Sequence, residues 1–327
     1  MTLQDLGRPG LIGQGVSVGG AADRLALLEA AALLGLARPG ASIEMAGSGG
    51  TFVATAPMRL ALTGAPMRAD IDGQALAWNA VHLLSPGQRL TIGGAREGTY
   101  GYLTPAGGFD VAPFLGSVSA HLAAGIGGLL RAGVDLPLGE DPHPGAPATR
   151  LDVPGRFSGG TVRLMPGPQT DLFDAAVRAR FFATPFRRGP QANRQGMELL
   201  HDGPGYTTAA ASNLASDFIV PGDVQMTGAG APFVLLCECQ TIGGYPRIGT
   251  VLAEDLPRLA QAPAGAPIRF RPVSLEEADA VWRDEQEQLA ALRARVRPLV
   301  RDPHAIRDLL AYQLISGVTC GDDLERT

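Results

Sequence analysis

Lysine is absent from this sequence of 327 residues, so all 27 basic side chains are arginine. Two kinds of site that need a lysine amine are thereby excluded, namely a Walker A phosphate loop and a Schiff-base site. If ATP takes part in the function, its phosphates have to be held by arginine, by backbone amides or by another protein of a complex.

Positive charge and long apolar runs are also scarce. The formal net charge is −5, so the chain lacks the basic footprint of a nucleic-acid-binding protein. No apolar run is long enough to cross a bilayer, and the first ten residues lack the basic and apolar regions of a secretory signal. We therefore predict a cytoplasmic protein with neither nucleic acid nor a membrane as its partner.

Residues that bind transition metals are few and scattered. The chain has three cysteines and five histidines, and none of them follows a ligand spacing. Cys237 and Cys239 are two residues apart, so in a strand they share one face and pack as small hydrophobic side chains. We predict that the protein has no metal site.

Turn-forming residues are abundant, whereas aromatic residues make up only 6% of the chain. The 44 glycines and 26 prolines favour many short strands joined by turns over a helical protein. After the first helix, turn signals recur at the roughly ten-residue spacing of β barrels and sandwiches. We therefore predict a mainly β fold.

Helices interrupt this pattern, including short ones predicted in TDLFDAAVRARFFATP and in the tail after residue 301. Apolar residues at helical spacing predict a helix that begins near Arg24, where Asp23 is either the N-cap or a polar group of a site. The segment 274–296 predicts a second, longer helix, opened by a capping box of Ser274 and Glu277.

A segment dense in proline and glycine, residues 138–160, is the best candidate for a linker. The strands on either side of it then belong to separate lobes. The predicted division is an N-terminal β-barrel lobe, a second β-barrel lobe and a C-terminal helical tail, at residues 1–155, 156–272 and 273–327.

The segment 240–251, with the sequence QTIGGYPRIGTV, places polar and flexible residues directly after an apolar strand. Strand alternation through FVLLCECQT puts Glu238 and Gln240 side by side on one face. Two glycines then allow a ligand to approach the backbone closely. Tyr245 and Arg247 supply a phenol and a guanidinium suited to a carboxylate, a carbamate or a phosphate. An exposed polar turn explains this segment equally well.

The N-terminal segment repeats this combination of glycine with polar side chains. Residues 1–20 are predicted to form a glycine-rich loop, in which Gln4, Asp5 and Arg8 precede the helix that follows Asp23. A glycine-rich segment before a helix is able to bind an anion at the helix N-terminus. No strand is predicted before this loop, so it does not fit a dinucleotide-binding fingerprint.

Several motifs, in order over residues 2–272, resemble the biotin-dependent carboxyltransferase / allophanate hydrolase subunit 2 family. They are TLQDLGRPG, GGAAD, LTGAP, PAGGFDVAPFLGS, PGPQ and QTIGGYPRIGTV. The resemblance implies two cyclophilin-like β-barrel lobes with short helices and a C-terminal helix. The family has a strand ahead of QDLGR, and this chain begins almost inside that motif, so we expect either that its start is annotated too late or that the first strand is missing.

The resemblance also implies a function in a multi-subunit complex. The family's stand-alone members belong to a 5-oxoprolinase, a hydrolase that opens 5-oxoproline to glutamate with ATP. They act there together with a sister protein, the B subunit, and a separately encoded A subunit. In fused relatives, the related domain transfers a carboxyl group from carboxybiotin to urea, so biotin enters only in that alternative. A third alternative is a non-catalytic regulatory or binding protein.

Site residues follow from the motifs position by position. The expected catalytic residues are Gln240, Tyr245, Arg247, Asp5 and Arg8. The expected substrate-binding residues are Gln4, Gly19, Gly20, Asp23, Thr241, Gly243, Gly244, Arg194 and Glu238. Further motif positions are Gly107, Gly108, Asp110, Gly167, Gln169 and Pro246. We expect Gln240 and Arg247 to face one cavity together with the Arg8 loop.

Overall fold

Short strands dominate the computed structural model, which describes residues 1–300 except for the side chains of residues 212 and 213. The predicted mainly β fold with few short helices is confirmed. The N-terminal strands are β1 Thr2–Gln4, β2 Ser42–Ala46, β3 Thr51–Val53, β4 Met58–Gly64, β5 Met67–Ile71, β6 Gln74–Ala75, β7 Ala80–Leu84, β8 Arg89–Ala95, β9 Tyr100–Pro105 and β10 Thr149–Arg150.

In the N-terminal lobe these strands form two sheets. The larger runs in the order β1-β2-β9-β4-β7-β10 and the smaller in the order β3-β8-β5-β6. Alternate side chains of both sheets meet in one buried core, which includes Ile43, Leu62, Met67 and Ile92. The predicted loop at residues 1–20 therefore begins with a strand, because Leu3 pairs antiparallel with Ile43 at the edge of the larger sheet.

The second lobe is a closed barrel, as predicted. Its strands run in the order β11-β18-β15-β16-β13-β12-β19, and a separate ribbon joins β14 to β17. Phe181, Phe186, Tyr206 and Phe270 fill one end of its core with ring centroids 5.0–5.9 Å apart. The strands are β11 Gly160–Met165, β12 Phe186–Ala192, β13 Gly196–Leu200, β14 Asp217–Phe218, β15 Asp223–Met226, β16 Pro232–Leu235, β17 Ile242–Gly243, β18 Arg247–Val251 and β19 Pro267–Pro272.

The strand predicted through FVLLCECQT is shorter than expected. It ends at Leu235, and the amide of Cys239 then donates to the carbonyl of Leu236 in a turn. Strand alternation therefore does not extend to Glu238 and Gln240, and the prediction that these two side chains share a strand face is wrong. Glu238 is buried, whereas Gln240 is exposed.

The described part of the chain also contains five α-helices, a last strand and four short 3-10 helices at Ile12–Gln14, Leu122–Ala124, Thr170–Leu172 and Ala209–Asn213. The α-helices and the last strand are α1 Arg24–Leu34, α2 Ala175–Ala183, α3 Leu256–Gln261, α4 Leu275–Val281, α5 Glu285–Arg293 and β20 Arg297–Pro298. Asp23 is the N-cap of α1, as one of the two predictions had it, since its carboxylate accepts from the amide of Ala26 at 3.3 Å. Helix α1 packs on the larger sheet through Ala30 and Leu33.

The helix predicted over 274–296 is two helices. The capping box of Ser274 and Glu277 is confirmed, but a second capping box at Asp284 and Glu287 starts α5. Because these local hydrogen bonds satisfy the amides of a new first turn, the helix is interrupted at residues 282–284.

The C-terminal segment is attached to the N-terminal lobe. Helix α5 packs against α1 through Leu289, and β20 pairs with β10 at the edge of the larger sheet. The two predicted boundaries between the three segments stay predictions, and residues 301–327 of the predicted tail lie outside the described residues. In residues 1–300, no helix is long and apolar enough to cross a membrane.

Candidate functional site

A buried arginine of the barrel reaches into the N-terminal lobe. Arg194 lies in the turn between β12 and β13, and its guanidinium donates to Glu238 Oε1 at 2.6 Å, to the Gly20 carbonyl and to Glu44. Burial alone would lower the pKa of Arg194, but the charges of the two glutamates raise it, so the group stays protonated. Two of the predicted binding residues, Arg194 and Glu238, thus meet a third, Gly20.

Glu44 fixes this arginine from the larger sheet. It lies on β2 and is 3% exposed, and its Oε2 accepts from the Tyr102 hydroxyl at 2.7 Å and from the Ala22 amide at 2.8 Å. Burial and the neighbouring Glu44 charge raise the pKa of Tyr102 well above its usual value. Tyr102 therefore stays a donor toward Glu44.

Asp5 fixes the loop of residues 117–119. Its carboxylate accepts from the hydroxyls of Ser117 and Ser119 and from the amides of Gly7 and Val118, at 2.5–2.9 Å. Its oxygens are thus already used in fixing residues 117–119. This geometry makes Asp5 a positioning group, and its predicted catalytic role stays a prediction.

Gln4 also contacts this loop. Its Nε2 donates to the Thr2 hydroxyl at 3.0 Å and to the Ala120 carbonyl at 3.1 Å. Gln4 and Asp5 together therefore tie the first strand to residues 117–120.

Arg8 contacts the same loop, and two of its guanidinium nitrogens make no hydrogen bond in the described part of the chain. It is 1% exposed, and its Nη2 donates to the carbonyls of Ser119 at 2.6 Å and Ser117 at 3.4 Å. Its Nε and Nη1 have no hydrogen-bond partner in the described part of the chain. A buried guanidinium without a counter-charge is unfavourable, so two N–H groups remain for an anionic ligand.

His121 lies beside Arg8. Its Nδ1 accepts from the Ala124 amide at 3.2 Å, which leaves the proton on Nε2 to donate to Ser17 Oγ at 2.8 Å. Burial lowers the pKa of His121 and outweighs the opposite effect of Glu238, whose Oε2 lies 3.9 Å from Nδ1. The imidazole is therefore neutral near pH 7.

Gly19 permits the close approach of these groups. A Cβ at Gly19 would lie 3.1 Å from His121 Cδ2 and 3.6 Å from Arg8 Nη1, and its φ of +64° lies in the left-handed region. Its amide donates to the Cys237 carbonyl at 3.0 Å, which joins the N-terminal loop to the barrel. Gly19 and Cys237 line a small cavity of about 170 Å³ between the lobes. Burial raises the pKa of the Cys237 thiol to about 12, so it remains protonated near neutral pH.

Asp23 belongs to a different network. Its carboxylate accepts from Arg156 Nε and from Gln261 Nε2, each at 2.8 Å, in addition to capping α1. Arg156 also forms a bidentate pair with Glu29 at 2.7 and 2.9 Å. These contacts join α1, the linker and α3, so the structure gives Asp23 a role in holding the lobes together.

Arg247 lies in a separate polar group within the barrel. It donates to Asp217 at 2.5 Å, Asp223 at 3.1 Å, Gln169 Oε1 at 3.3 Å and the Phe218 carbonyl at 2.5 Å. None of these acceptors also binds Arg8. The expected meeting of Arg247 with the Arg8 loop at one cavity is therefore not observed, because Asp223 of the barrel and Asp217 of the β14–β17 ribbon already neutralise Arg247.

The rest of the polar segment lies around this second group. Gln240 and Tyr245 are exposed, and the Thr241 carbonyl accepts from the Ile219 amide at 3.0 Å. Gly243 lies on the β14–β17 ribbon, and Gly244 follows it. Their predicted roles in catalysis and binding stay predictions.

A larger cavity of about 680 Å³ lies between α1, α3 and α5. None of the predicted catalytic or binding residues lines it. Its lining contains as many arginines as carboxylates, so its charges balance. These residues are Arg156, Arg258, Arg283, Arg295, Glu29, Glu254, Asp255 and Glu287. The cluster around Arg8 is therefore the better candidate, because it holds a charge that the protein leaves unpaired.

Sequence reasoning missed Glu44, Tyr102, His121 and Ser17. Glu44 had a signal, since it is the only charged residue in the strand SIEMA. His121 had none, because its neighbours in the chain differ from its neighbours in space. Residues 1–300 contain no group of three or more histidines, cysteines or carboxylates that could hold a metal ion.

Similar proteins support one family. Residues 14–272 match the family described as carboxyltransferase domain, subdomain A and B. The chain is 38% identical to the C subunit of 5-oxoprolinase from Escherichia coli, over 88% of this chain and 94% of that protein. The same protein of Haemophilus influenzae is 32% identical, over 89% of this chain and 94% of that protein.

Solved structures share the fold. TTHA0988 superposes with a TM-score of 0.73 at 31% identity and covers 83% of this chain, which spans 53% of the TTHA0988 chain. The urea amidolyase of K. lactis has a TM-score of 0.79 at 21% identity and covers 92% of this chain, which spans only 20% of that longer one. The chain belongs to the family of the carboxyltransferase domain, subdomains A and B.

Proposed function

We propose that this chain is one component of a multi-subunit 5-oxoprolinase, which uses ATP to open 5-oxoproline to glutamate. The observation that carries the proposal is the buried guanidinium of Arg8, with two unpaired N–H groups beside a neutral His121. The relationship to two proteins named as the C subunit of 5-oxoprolinase, over nearly their whole length, supports the same substrate.

The geometry suits a small anionic amide. 5-Oxoproline carries one carboxylate and one ring amide, and a carboxylate pairs well with the two free N–H groups of a guanidinium fork. The neutral imidazole of His121 lies near Arg8 at Gly19, where it offers polarity without adding a second positive charge. In the reaction the ring C–N bond breaks, the oxygen of one water bonds to the carbonyl carbon and a proton goes to the nitrogen, while the γ-phosphoryl group of ATP passes to a second water and leaves as phosphate with ADP.

The remaining parts of the reaction belong to partners in this proposal. Because the chain has no lysine, no Walker A lysine comes from it, and we expect ATP to bind elsewhere in the complex. The proposed partners are a sister protein that resembles the B subunit of 5-oxoprolinase and a hydrolase that resembles its A subunit. The proposed location is the cytoplasm.

Replacing Arg8 by methionine tests the proposal in the reconstituted complex. A hydrogen-bonded contact to a charged group contributes about 1.5–3 kcal/mol, so kcat/KM for 5-oxoproline should fall roughly 10- to 100-fold. ATP consumption that depends on 5-oxoproline and the appearance of glutamate are the measurements. The melting temperature should stay close to that of the wild type, because the substitution also removes two unpaired buried donors.

Two variants control this experiment. Arg8→Lys keeps the charge but loses the fork, so it should recover only part of the activity. Arg38→Met changes an exposed arginine and should keep full activity. The proposal fails if the wild-type complex consumes no ATP with 5-oxoproline, or if the Arg8→Met complex keeps wild-type kcat/KM.

A second candidate function is carboxyl transfer from carboxybiotin to urea or a related amide. The family description and the 28% identity to a putative urea carboxylase of Emericella nidulans favour it. Biotin is carried on a lysine side chain, so a separate carrier protein would have to supply it to this chain. Label from bicarbonate that appears in the product would establish this function in place of the first.

A further inference from the structure

The loop of residues 111–130 contributes to the candidate site around Arg8 and His121, and it carries exposed apolar side chains. Residues 111–130 contain no aspartate, glutamate, lysine or arginine. Within this uncharged loop, five large apolar side chains are 39–61% exposed, namely Val111, Phe114, Leu115, Leu122 and Leu129. Exposed apolar groups without interspersed charges are typical of the centre of a protein interface, where charged residues are depleted.

The inner face of the same loop builds the candidate site. Ser117, Ser119 and His121 are buried, and the first two supply the carbonyls that hold Arg8. The amide of Ala120 donates to the Leu3 carbonyl at 2.9 Å, which fixes the loop to β1. The Leu130 amide likewise donates to the Met1 carbonyl at 2.9 Å, so the exposed side chains belong to a loop that is tied to the N-terminal strand and that also supplies the contacts of Arg8.

Leu115 has a strained backbone conformation within this loop. Its φ is +51°, in the left-handed region that a bulky side chain rarely adopts, and the side chain is 49% exposed. Such a conformation persists only where the surrounding structure fixes it, and it is concentrated at functional sites.

We propose that the uncharged loop is the docking surface for a sister protein of the complex, a second polypeptide with an apolar contact surface. The identity of this partner rests on the proposed function. The five side chains expose on the order of 450 Å², more than half of the roughly 800 Å² that each partner buries in a standard interface. The partner would thereby cover the loop that surrounds Arg8 and His121 and exclude water from that site.

The relatives favour a different protein over a second copy of this chain. This chain spans 53% of the TTHA0988 chain and 20% of the urea amidolyase chain, so the fold is joined there to further polypeptide. In those longer chains, the shared fold has to contact the joined polypeptide through one of its surfaces. The exposed apolar face beside the site suits that purpose.

Binding of the sister protein, the one that resembles the B subunit of 5-oxoprolinase, to the purified chain tests the proposal. Leu129→Glu places a charge on a side chain that is 61% exposed, and Leu83→Glu makes the same change on β7, at 60% exposure. We expect Leu129→Glu to raise the dissociation constant at least 100-fold and Leu83→Glu to leave it unchanged. Both variants should melt like the wild type.

Hydrogen exchange of the wild-type pair supplies a second measurement. Amides of residues 111–130 should exchange more slowly in the complex than in the free chain. The proposal is overturned by any of three results: wild type that does not bind the sister protein, equal binding by Leu129→Glu, or unchanged exchange in this loop. A wild-type homodimer that Leu129→Glu dissociates would assign the surface to a second copy and overturn it as well.

These measurements need no substrate. If the two proteins bind through the loop but the full complex consumes no ATP with 5-oxoproline, the proposed function fails and the docking surface stands. If the complex is active but the loop variants bind normally, the docking surface fails alone.

Discussion

Removing Arg194 should cost more stability than removing any exposed ion pair of this protein. Arg194 is the only arginine seen to bind both Glu44 and Glu238 in the described part of the chain, and these carboxylates are 3% and 2% exposed. Replacing it by methionine leaves two buried negative charges without a counter-charge. Breaking a buried ion pair in this way costs about 3–5 kcal/mol of unfolding free energy.

The remaining donors place the expected loss near the lower end of that range. Glu44 keeps the Tyr102 hydroxyl and the Ala22 amide, and Glu238 keeps the Ala123 amide at 3.2 Å. Each of these bonds continues to stabilise a charged carboxylate after the guanidinium is gone. We therefore expect a loss of about 3 kcal/mol for Arg194→Met.

Urea-induced unfolding, followed by circular dichroism, measures this loss. Arg187→Met is the matched control on the same barrel, because Arg187 pairs with Asp202 at 3.3 Å with both side chains at least half exposed. Such a surface pair contributes roughly 0–1 kcal/mol. Adding Glu238→Gln to Arg194→Met should recover part of the loss, because it removes one uncompensated charge. A loss for Arg194→Met no larger than that of the control would refute the reasoning.

Two further predictions concern buried polar groups. Burial lowers the pKa of both His82 and His121, so the folded state binds their protons less readily than the unfolded state. The melting temperature should therefore fall as the pH drops from about 7 to about 5.5, and less so in His121→Gln; a melting temperature independent of pH would contradict this. Gln261→Leu leaves the amides of residues 99–100 without the side-chain acceptor that they share, at a cost of about 2–4 kcal/mol in urea unfolding. The exposed Gln74→Leu should change stability little, and equal losses for both variants would count against the role of Gln261.

Local hydrogen bonds were the features that the sequence predicted best. The caps at Asp23 and Ser274 depend on residues within one turn of the helix, and both are present. The break before Asp284 was equally local, since Asp284 and Glu287 carry the same spacing as the first capping box. The prediction missed this break because the helical spacing of apolar residues continues through residues 274–296.

Strand alternation was less reliable near the polar segment. The apolar and polar residues keep alternating through Cys237 and Cys239, yet the strand ends at Leu235 and the chain turns where the Cys239 amide donates to the Leu236 carbonyl. A pattern with a period of two residues does not mark where a strand ends unless a turn residue follows it.

The sequence by itself determined the mainly β class, the turn-rich character of both lobes and the helix caps. It also excluded sites that need a lysine, namely a Walker A loop and a Schiff-base site. Only the tertiary structure decided that Arg8 meets His121 and that Arg194 meets Glu44, 150 positions apart in the chain. It also decided that Arg247 is neutralised inside the barrel. The physical reason is that caps and turns are satisfied within a few residues, whereas a buried charge is balanced by whichever opposite charge or dipole the packing of distant strands brings beside it.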